Sequence, residues 1–297
     1  MKELGRQLRR ILNPRALAAW CGTDRLSVLA ELAQRAADRE LTPAAAPFAL
    51  FVAGREVPQR LVAAALDLET LAQHGLVELA GDTVRATLAL LPLGRSLLAC
   101  DHLDAPAGPE LVCWPDDSSY HLAKSLPIDP SRDWIDVGCG SAFAPLFVHR
   151  AACIADLNER ALARAGLGGV LSDVPLEPYA SDVLAGVPPR AWDLVSCNAP
   201  IPDEPGPLWR STTASFFDRL YAQAAGARLV VLHAAESALA PLADLPGERV
   251  VVAYTPEPGF AVAWWAPHGP ARYVTARRAL TDDRPHLTYE DRAAALC

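Results

Sequence analysis

The stretch Trp134-Ile135-Asp136-Val137-Gly138-Cys139-Gly140-Ser141-Ala142 constrains this chain more than any other. A short apolar strand runs straight into a turn holding two glycines. Ile154-Ala155-Asp156 follows after the length of one crossover. Glycine lacks the Cβ that would keep a ligand off the backbone. A carboxylate ending the next strand can accept hydrogen bonds from ribose hydroxyls. The pattern predicts a βαβ unit with a nucleotide at its strand ends.

From Trp134 onward, strand and helix patterns alternate. Strands are expected at 134–138, near 152–156, over Leu176–Ala180, over Trp192–Cys197 and over Ala227–Leu232. Helices are expected after Ala142 and over Asn158–Ala165. This alternation predicts an α/β fold, a Rossmann-like doubly wound and mostly parallel sheet. Arg249–Tyr254 and Phe260–Trp265 flank Pro256-Glu257-Pro258-Gly259, which predicts a C-terminal hairpin as an antiparallel edge. One of Trp264 and Trp265 is then expected in the core and the other at the exposed edge.

Residues 1–105 read as a smaller helical, winged-helix-like domain. Met1–Arg10 reads as a surface helix, and Leu26–Arg39 carries apolar residues at helical spacing. Pro47–Val52 opens another apolar segment. Val57–Leu66 and Leu68–His74 read as short helices stopped by Gly75. Leu76–Leu79 and Thr83–Leu88 flank the turn Ala80-Gly81-Asp82 as a hairpin. Residues 106–133 read as a linker across the mouth of the site, bearing Trp114 and Tyr120, and 134–297 as the nucleotide-binding domain.

The 297 residues are 51% hydrophobic with a formal net charge of −8, enough for a sizeable core. That balance excludes a globally basic surface, so no nucleic-acid partner is expected. The candidate recognition helix Val57–Leu66 carries only Arg60 as a cation. Seven cysteines form no C-x-x-C pair, so neither a metal site nor a disulfide framework is expected. No signal-peptide pattern and no membrane-spanning apolar run stands in the sequence, which reads as cytoplasmic with no membrane partner.

Four segments fall in order at strand ends: Asp136-x-Gly138-x-Gly140, Ala155-Asp156-Leu157-Asn158, Ser181-Asp182-Val183-Leu184 and Asn198-Ala199-Pro200-Ile201-Pro202. Over roughly 134–235 this series resembles class I S-adenosylmethionine-dependent methyltransferases, in the branch that includes release-factor glutamine methyltransferases and related small-domain enzymes. A dinucleotide fingerprint would place glycine at position 143, where Phe143 stands.

The resemblance implies S-adenosylmethionine as cofactor. It places Asp136, Gly138 and Gly140 under the methionine part. Asp156, with Leu157 beside it, would bind the ribose, and Asp182 the adenine amino group with Val183 against the ring. Asn198 would sit beside the sulfonium as a catalytic residue. Relatives acting on planar amides or bases carry Asn-Pro-Pro followed by an aromatic residue. Here Ala199 and Ile201 replace the middle proline and the aromatic, which removes the stacking partner.

Two enzymatic readings follow. One is methyl transfer to an amine-type nitrogen of a small-molecule or peptide-like acceptor. The other resembles azetidine-2-carboxylate synthases of bacterial peptide biosynthesis, in which the cofactor's own α-amine displaces methylthioadenosine. A third is a winged-helix regulator that senses S-adenosylmethionine. Tyr120 and Trp114 could close over the methionine tail and support a cation by their ring faces, and Tyr120 is a second catalytic candidate. His121 could also reach the site. A winged-helix-like unit is compatible with a homodimer.

Overall fold

In the computed structural model the described residues are 1–38, 40–106, 108, 110–127, 133–200, 213–256 and 258–297. Eight strands build the central sheet: β1 (Trp134–Val137), β2 (Ala152–Asp156), β3 (Leu176–Ala180), β4 (Leu194–Asn198), β5 (Leu229–Ala235), β6 (Glu248–Thr255), β7 (Phe260–Ala266) and β8 (Arg272–Ala279). Their order is β8-β6-β7-β5-β4-β1-β2-β3. All pairings from β3 through β5 are parallel, while β7 runs antiparallel to both β5 and β6. The sheet is Rossmann-like and doubly wound, with the C-terminal hairpin inserted after β5.

Side chains alternate across this sheet as the two-residue strand period demands. Trp134, Val231 and Trp264 join one apolar cluster, and Ile135, Leu232 and Trp265 join the other. Helix α4 (Thr213–Ala224) covers the second face through Phe217, Leu220 and Tyr221. The first face carries α1 (Asp117–Lys124), α2 (Phe143–Val148) and α3 (Glu159–Ser172).

The hairpin is not the edge that was expected. β8 pairs in parallel with β6, from Glu248 opposite Arg272 to Thr255 opposite Ala279. β8 alternates exposed and half-buried residues and has no fully buried one, so no apolar pattern announced it. β7 itself lies between β5 and β6, and neither of its tryptophans is exposed. Trp264 Nε1 donates to Ser125 O at 2.9 Å and Trp265 Nε1 to Pro246 O at 2.8 Å.

In the N-terminal part, helices span Lys2–Ile11, Pro14–Cys21, Leu29–Ala37 and Ala46–Phe51. The expected helix over Val57–Leu66 shrinks to Gln59–Val62, because Val57–Pro58 pair with Val84 and Thr83 as a strand. Pro58 has no N–H to extend a helix inward and sits at its N-cap instead. The helix Leu68–Gln73 and the hairpin of Val77–Ala80 with Thr83–Ala86 complete a winged-helix-like order. A second hairpin, Ala89–Leu93 with Ser96–Cys100, is buried along both strands and packs on α3. Lys2–Ile11 also docks on α3, with Leu4, Gly5 and Leu8 buried. One apolar cluster therefore runs from Leu4 to Leu287. No helix among the described residues is long and apolar enough to cross a membrane.

Candidate active site

The carboxyl ends of β1 and β4 meet where the sheet order reverses, the crevice in which doubly wound sheets hold ligands. A cavity of about 760 Å³ opens there, within the range that accepts a nucleoside-sized ligand. Asp136, Gly138, Gly140, Asp156, Leu157, Asp182, Val183 and Asn198 all line it. Four strand ends far apart in sequence are thus gathered around one space.

The glycine turn is tied to β2. Gly138 N and Cys139 N both donate to Ala155 O, at 2.8 and 3.1 Å. Gly138 and Gly140 adopt φ of +63° and +52°, a region that side chains disfavour, and a Cβ on either would meet open space. The backbone is thereby bared toward the cavity. Asp156 accepts from Gly140 N through Oδ2 and from Asn158 N through Oδ1, at 2.8 and 2.9 Å. Each oxygen keeps a lone pair, which suits a pair of hydroxyls. Burial raises the Asp156 pKa, and the backbone N–H bonds oppose that rise.

Asp136 lies deeper. Ser196 Oγ donates to its Oδ1 and receives the Trp134 indole N–H at 2.7 Å. Burial pushes the Asp136 pKa up to about 7, against the Ser196 hydrogen bond and with the Asp156 charge adding to it. Asp182 is half exposed and paired with Arg219 of α4 at 3.2 Å. Val183 is buried with φ of +56°. A β-branched residue in that region costs about 1–3 kcal/mol, and such strain concentrates where ligands bind.

The wall opposite the glycine turn comes from residues 111–119, including Trp114, Asp116, Ser118 and Ser119. Trp114 stands in this wall, its indole N–H anchored on Asp101 O at 2.8 Å. Tyr120, expected beside it over the methionine tail, does not line the cavity. On α1, Tyr120 is about 200° around the axis from Ser118, the residue that faces Asn198. The Tyr120 ring packs edge-on against Phe143 and Phe147, and its hydroxyl accepts from Leu26 N at 3.1 Å. His121 is likewise buried outside the cavity, with Nδ1 accepting from Leu287 N at 3.0 Å. Burial lowers its pKa to about 4. Ile201 and Pro202 lie outside the described residues.

Sequence reasoning missed Ser118, His233, Tyr254 and Phe260, which all line the cavity. His233 had a usable signal. It falls in the carboxyl half of β5, beside Asn198 of β4 and one residue beyond the expected strand, near where functional groups of such sheets gather. Among the described residues, no cluster of three or more His, Cys, Asp or Glu side chains is arranged to hold a metal ion.

No protein-family model and no curated protein matches this chain. Solved structures do match it. One is a T. thermophilus 16S rRNA methyltransferase in complex with AdoMet and guanosine, at 18% identity over 62% of this chain and 46% of its own length, TM-score 0.45. Another is a predicted O-methyltransferase of Agrobacterium tumefaciens, at 16% identity over 59% and 93%, TM-score 0.45. A third is a methyltransferase of Pyrococcus furiosus, at 10% identity over 52% and 83%, TM-score 0.40. The chain spans under half the length of the first of these.

Proposed function

We propose that this protein is an S-adenosylmethionine-dependent enzyme of the class I methyltransferase type, displacing at a sulfonium carbon with an amine nitrogen. The observation that carries the reading is the convergence of Gly138, Gly140, Asp156, Asp182 and Asn198 on one cavity at the sheet's reversal point. Residues 134–297 then carry the cofactor, 106–133 are the linker over the site and 1–105 form the smaller unit.

When bound, S-adenosylmethionine supplies an electrophilic carbon with a thioether leaving group. The chain's own task is alignment and exclusion of water. Gly138 and Gly140 bare the backbone for the methionine portion. Asp156 accepts from the ribose hydroxyls, Asp182 from the adenine amino group, and Val183 packs against the base. Asn198 contacts the attacking nitrogen. That nitrogen must be neutral to attack, and burial beside a cation lowers its pKa without a strong base.

Among the described residues, the carboxylate, guanidinium and imidazole groups lining the cavity are five aspartates, Arg219 and a buried histidine, and Arg219 is paired with Asp182. This lining suits a neutral or cationic acceptor better than a phosphate-bearing one. A small-molecule or peptide-like amine fits it.

One observation favours the intramolecular alternative. Asn198 Nδ2 is bonded to Ser118 Oγ of the chain's own wall at 2.7 Å. That bond ties the end of β4 to the wall over the site and closes the acceptor side with the chain's own residues. In that reaction the α-amine lone pair forms a bond to the γ-carbon, and the γ-carbon–sulfur pair leaves with methylthioadenosine. The products are azetidine-2-carboxylic acid and a proton.

Mass spectrometry of purified protein incubated with S-adenosylmethionine alone tests both. Methylthioadenosine with azetidine-2-carboxylate, lost in Asn198→Ala, establishes cyclisation. Intact cofactor directs the search to amine acceptors, with S-adenosylhomocysteine as readout. Failure to bind either nucleoside overturns the proposal.

A further inference from the structure

A row of hydrogen bonds crosses the inner wall of the cavity in a single direction. Tyr254 Oη lies 2.9 Å from His233 Nε2, and His233 Nδ1 lies 3.0 Å from Asn198 Oδ1. Asn198 Nδ2 donates to Ser118 Oγ at 2.7 Å, and Ser118 Oγ donates to Asp116 Oδ1. The row joins β6, β5, β4 and the start of α1.

Its polarity is settled from the Asp116 end, because a carboxylate only accepts. Ser118 must spend its proton there, so its oxygen receives the Asn198 N–H. Asn198 Oδ1 then faces His233, whose Nδ1 must carry the proton. In a neutral imidazole the other nitrogen accepts, and it takes the Tyr254 O–H. Burial keeps this ring neutral by lowering its pKa to about 3. The ring is also clamped between parallel neighbours, 5.8 Å from His121 and 5.8 Å from Phe260.

Of this row, the cofactor reading uses only Asn198. We propose that His233 is a positioning residue for the attacking nitrogen, acting through Asn198. Its Nδ1–H holds the Asn198 amide in the flip that the Asp116–Ser118 end sets, so the second lone pair of Oδ1 is presented to the nitrogen in one orientation. A flipped amide would require the Nε2–H tautomer of His233 and would turn the Ser118 O–H away from Asp116 toward Asn198 Oδ1, leaving the Asp116 carboxylate without that donor. The proposal rests on the S-adenosylmethionine reading above and deepens it. It applies equally to an external amine and to the cofactor's own.

The test is side-chain ¹H–¹⁵N NMR of the full chain, combined with calorimetry using S-adenosylhomocysteine. In the parent protein His233 is expected as the neutral Nδ1–H tautomer from about pH 5 to pH 9. Asn198 should show two sharp, separate amide protons. His233→Phe keeps an aromatic ring but lacks the donor, and should broaden or shift those amide signals. S-adenosylhomocysteine affinity should stay within about threefold. His233→Asn returns a donor near the Nδ1 position and should restore the Asn198 signals. Tyr254→Phe keeps the imidazole and should leave it as the Nδ1–H tautomer, since Asn198 Oδ1 still accepts from that nitrogen. An Nε2–H tautomer in the parent overturns the proposal, as do Asn198 signals that ignore His233→Phe. Should the parent show the expected signals yet fail to bind S-adenosylhomocysteine, the cofactor reading falls while the Asn198–His233 coupling stands.

Discussion

The backbone N–H of Gly140 donates to Asp156 Oδ2 at 2.8 Å, so the glycine turn after β1 and the acid ending β2 form one unit. Any ligand resting on the turn is read by the carboxylate that holds it. Asp156→Ala removes the turn's anchor and both ribose acceptors together. Hydrogen bonds to charged groups contribute about 1.5–3 kcal/mol each, so two lost bonds predict a loss of affinity of about 100-fold or more. Calorimetry with S-adenosylmethionine checks this, and undiminished affinity would refute the assignment of the site.

Asn198 is expected to act on the reaction more than on binding. Asn198→Ala should lower turnover at least about tenfold while cofactor affinity stays within about threefold. Equal losses in both would demote Asn198 to a cofactor contact.

Asp136 makes stability depend on pH in a definite sense. Its carboxyl titrates near 3.8 when unfolded and near 7 when folded. Above about pH 7 it is ionised in both states, and folding bears the full cost of burying the charge. As pH falls from 7 toward 3.8, the folded state holds a proton that the unfolded state lacks, and the cost is relieved. Asp136→Asn carries no such charge. The variant should be more stable than the parent at about pH 8, by up to about 4 kcal/mol. The advantage should vanish near about pH 4. Urea unfolding of both proteins across this range is the measurement, and a pH-independent difference contradicts it.

Gly5 tests the docking of the first helix. A Cβ there would lie 2.4 Å from Leu171 O, a backbone atom that cannot swing aside. In an isolated helix, alanine for glycine gains about 1 kcal/mol. The clash with α3 costs about 1–3 kcal/mol and should win. Gly5→Ala is therefore expected to lower the unfolding midpoint, whereas a stabilised variant would show the two helices are not held this closely.

Much of the sheet was legible because its signals are local. Apolar runs such as Trp134–Val137 and Leu229–Leu232, punctuated by Gly138, Gly140 and the aspartates, mark strands and their ends within a few residues. β8 was not legible, since an edge strand carrying Arg272, Arg277 and Arg278 shows no apolar alternation. Tyr120 was placed on the wrong side because a linker reading supplies no helical phase. Once Asp116 caps α1, Ser118 faces the cavity and Tyr120 faces away from it.

The amino-acid sequence by itself determined the βαβ order, the left-handed glycines of the first turn and the acids at three strand ends. Each depends on backbone propensity and spacing within one crossover. Only the tertiary structure decided how Asn198 is held. Ser118 lies 80 residues before it and His233 lies 35 after it. Contacts of that separation exist only once β4, β5 and α1 pack side by side, and no local pattern encodes the direction in which their hydrogen bonds then run.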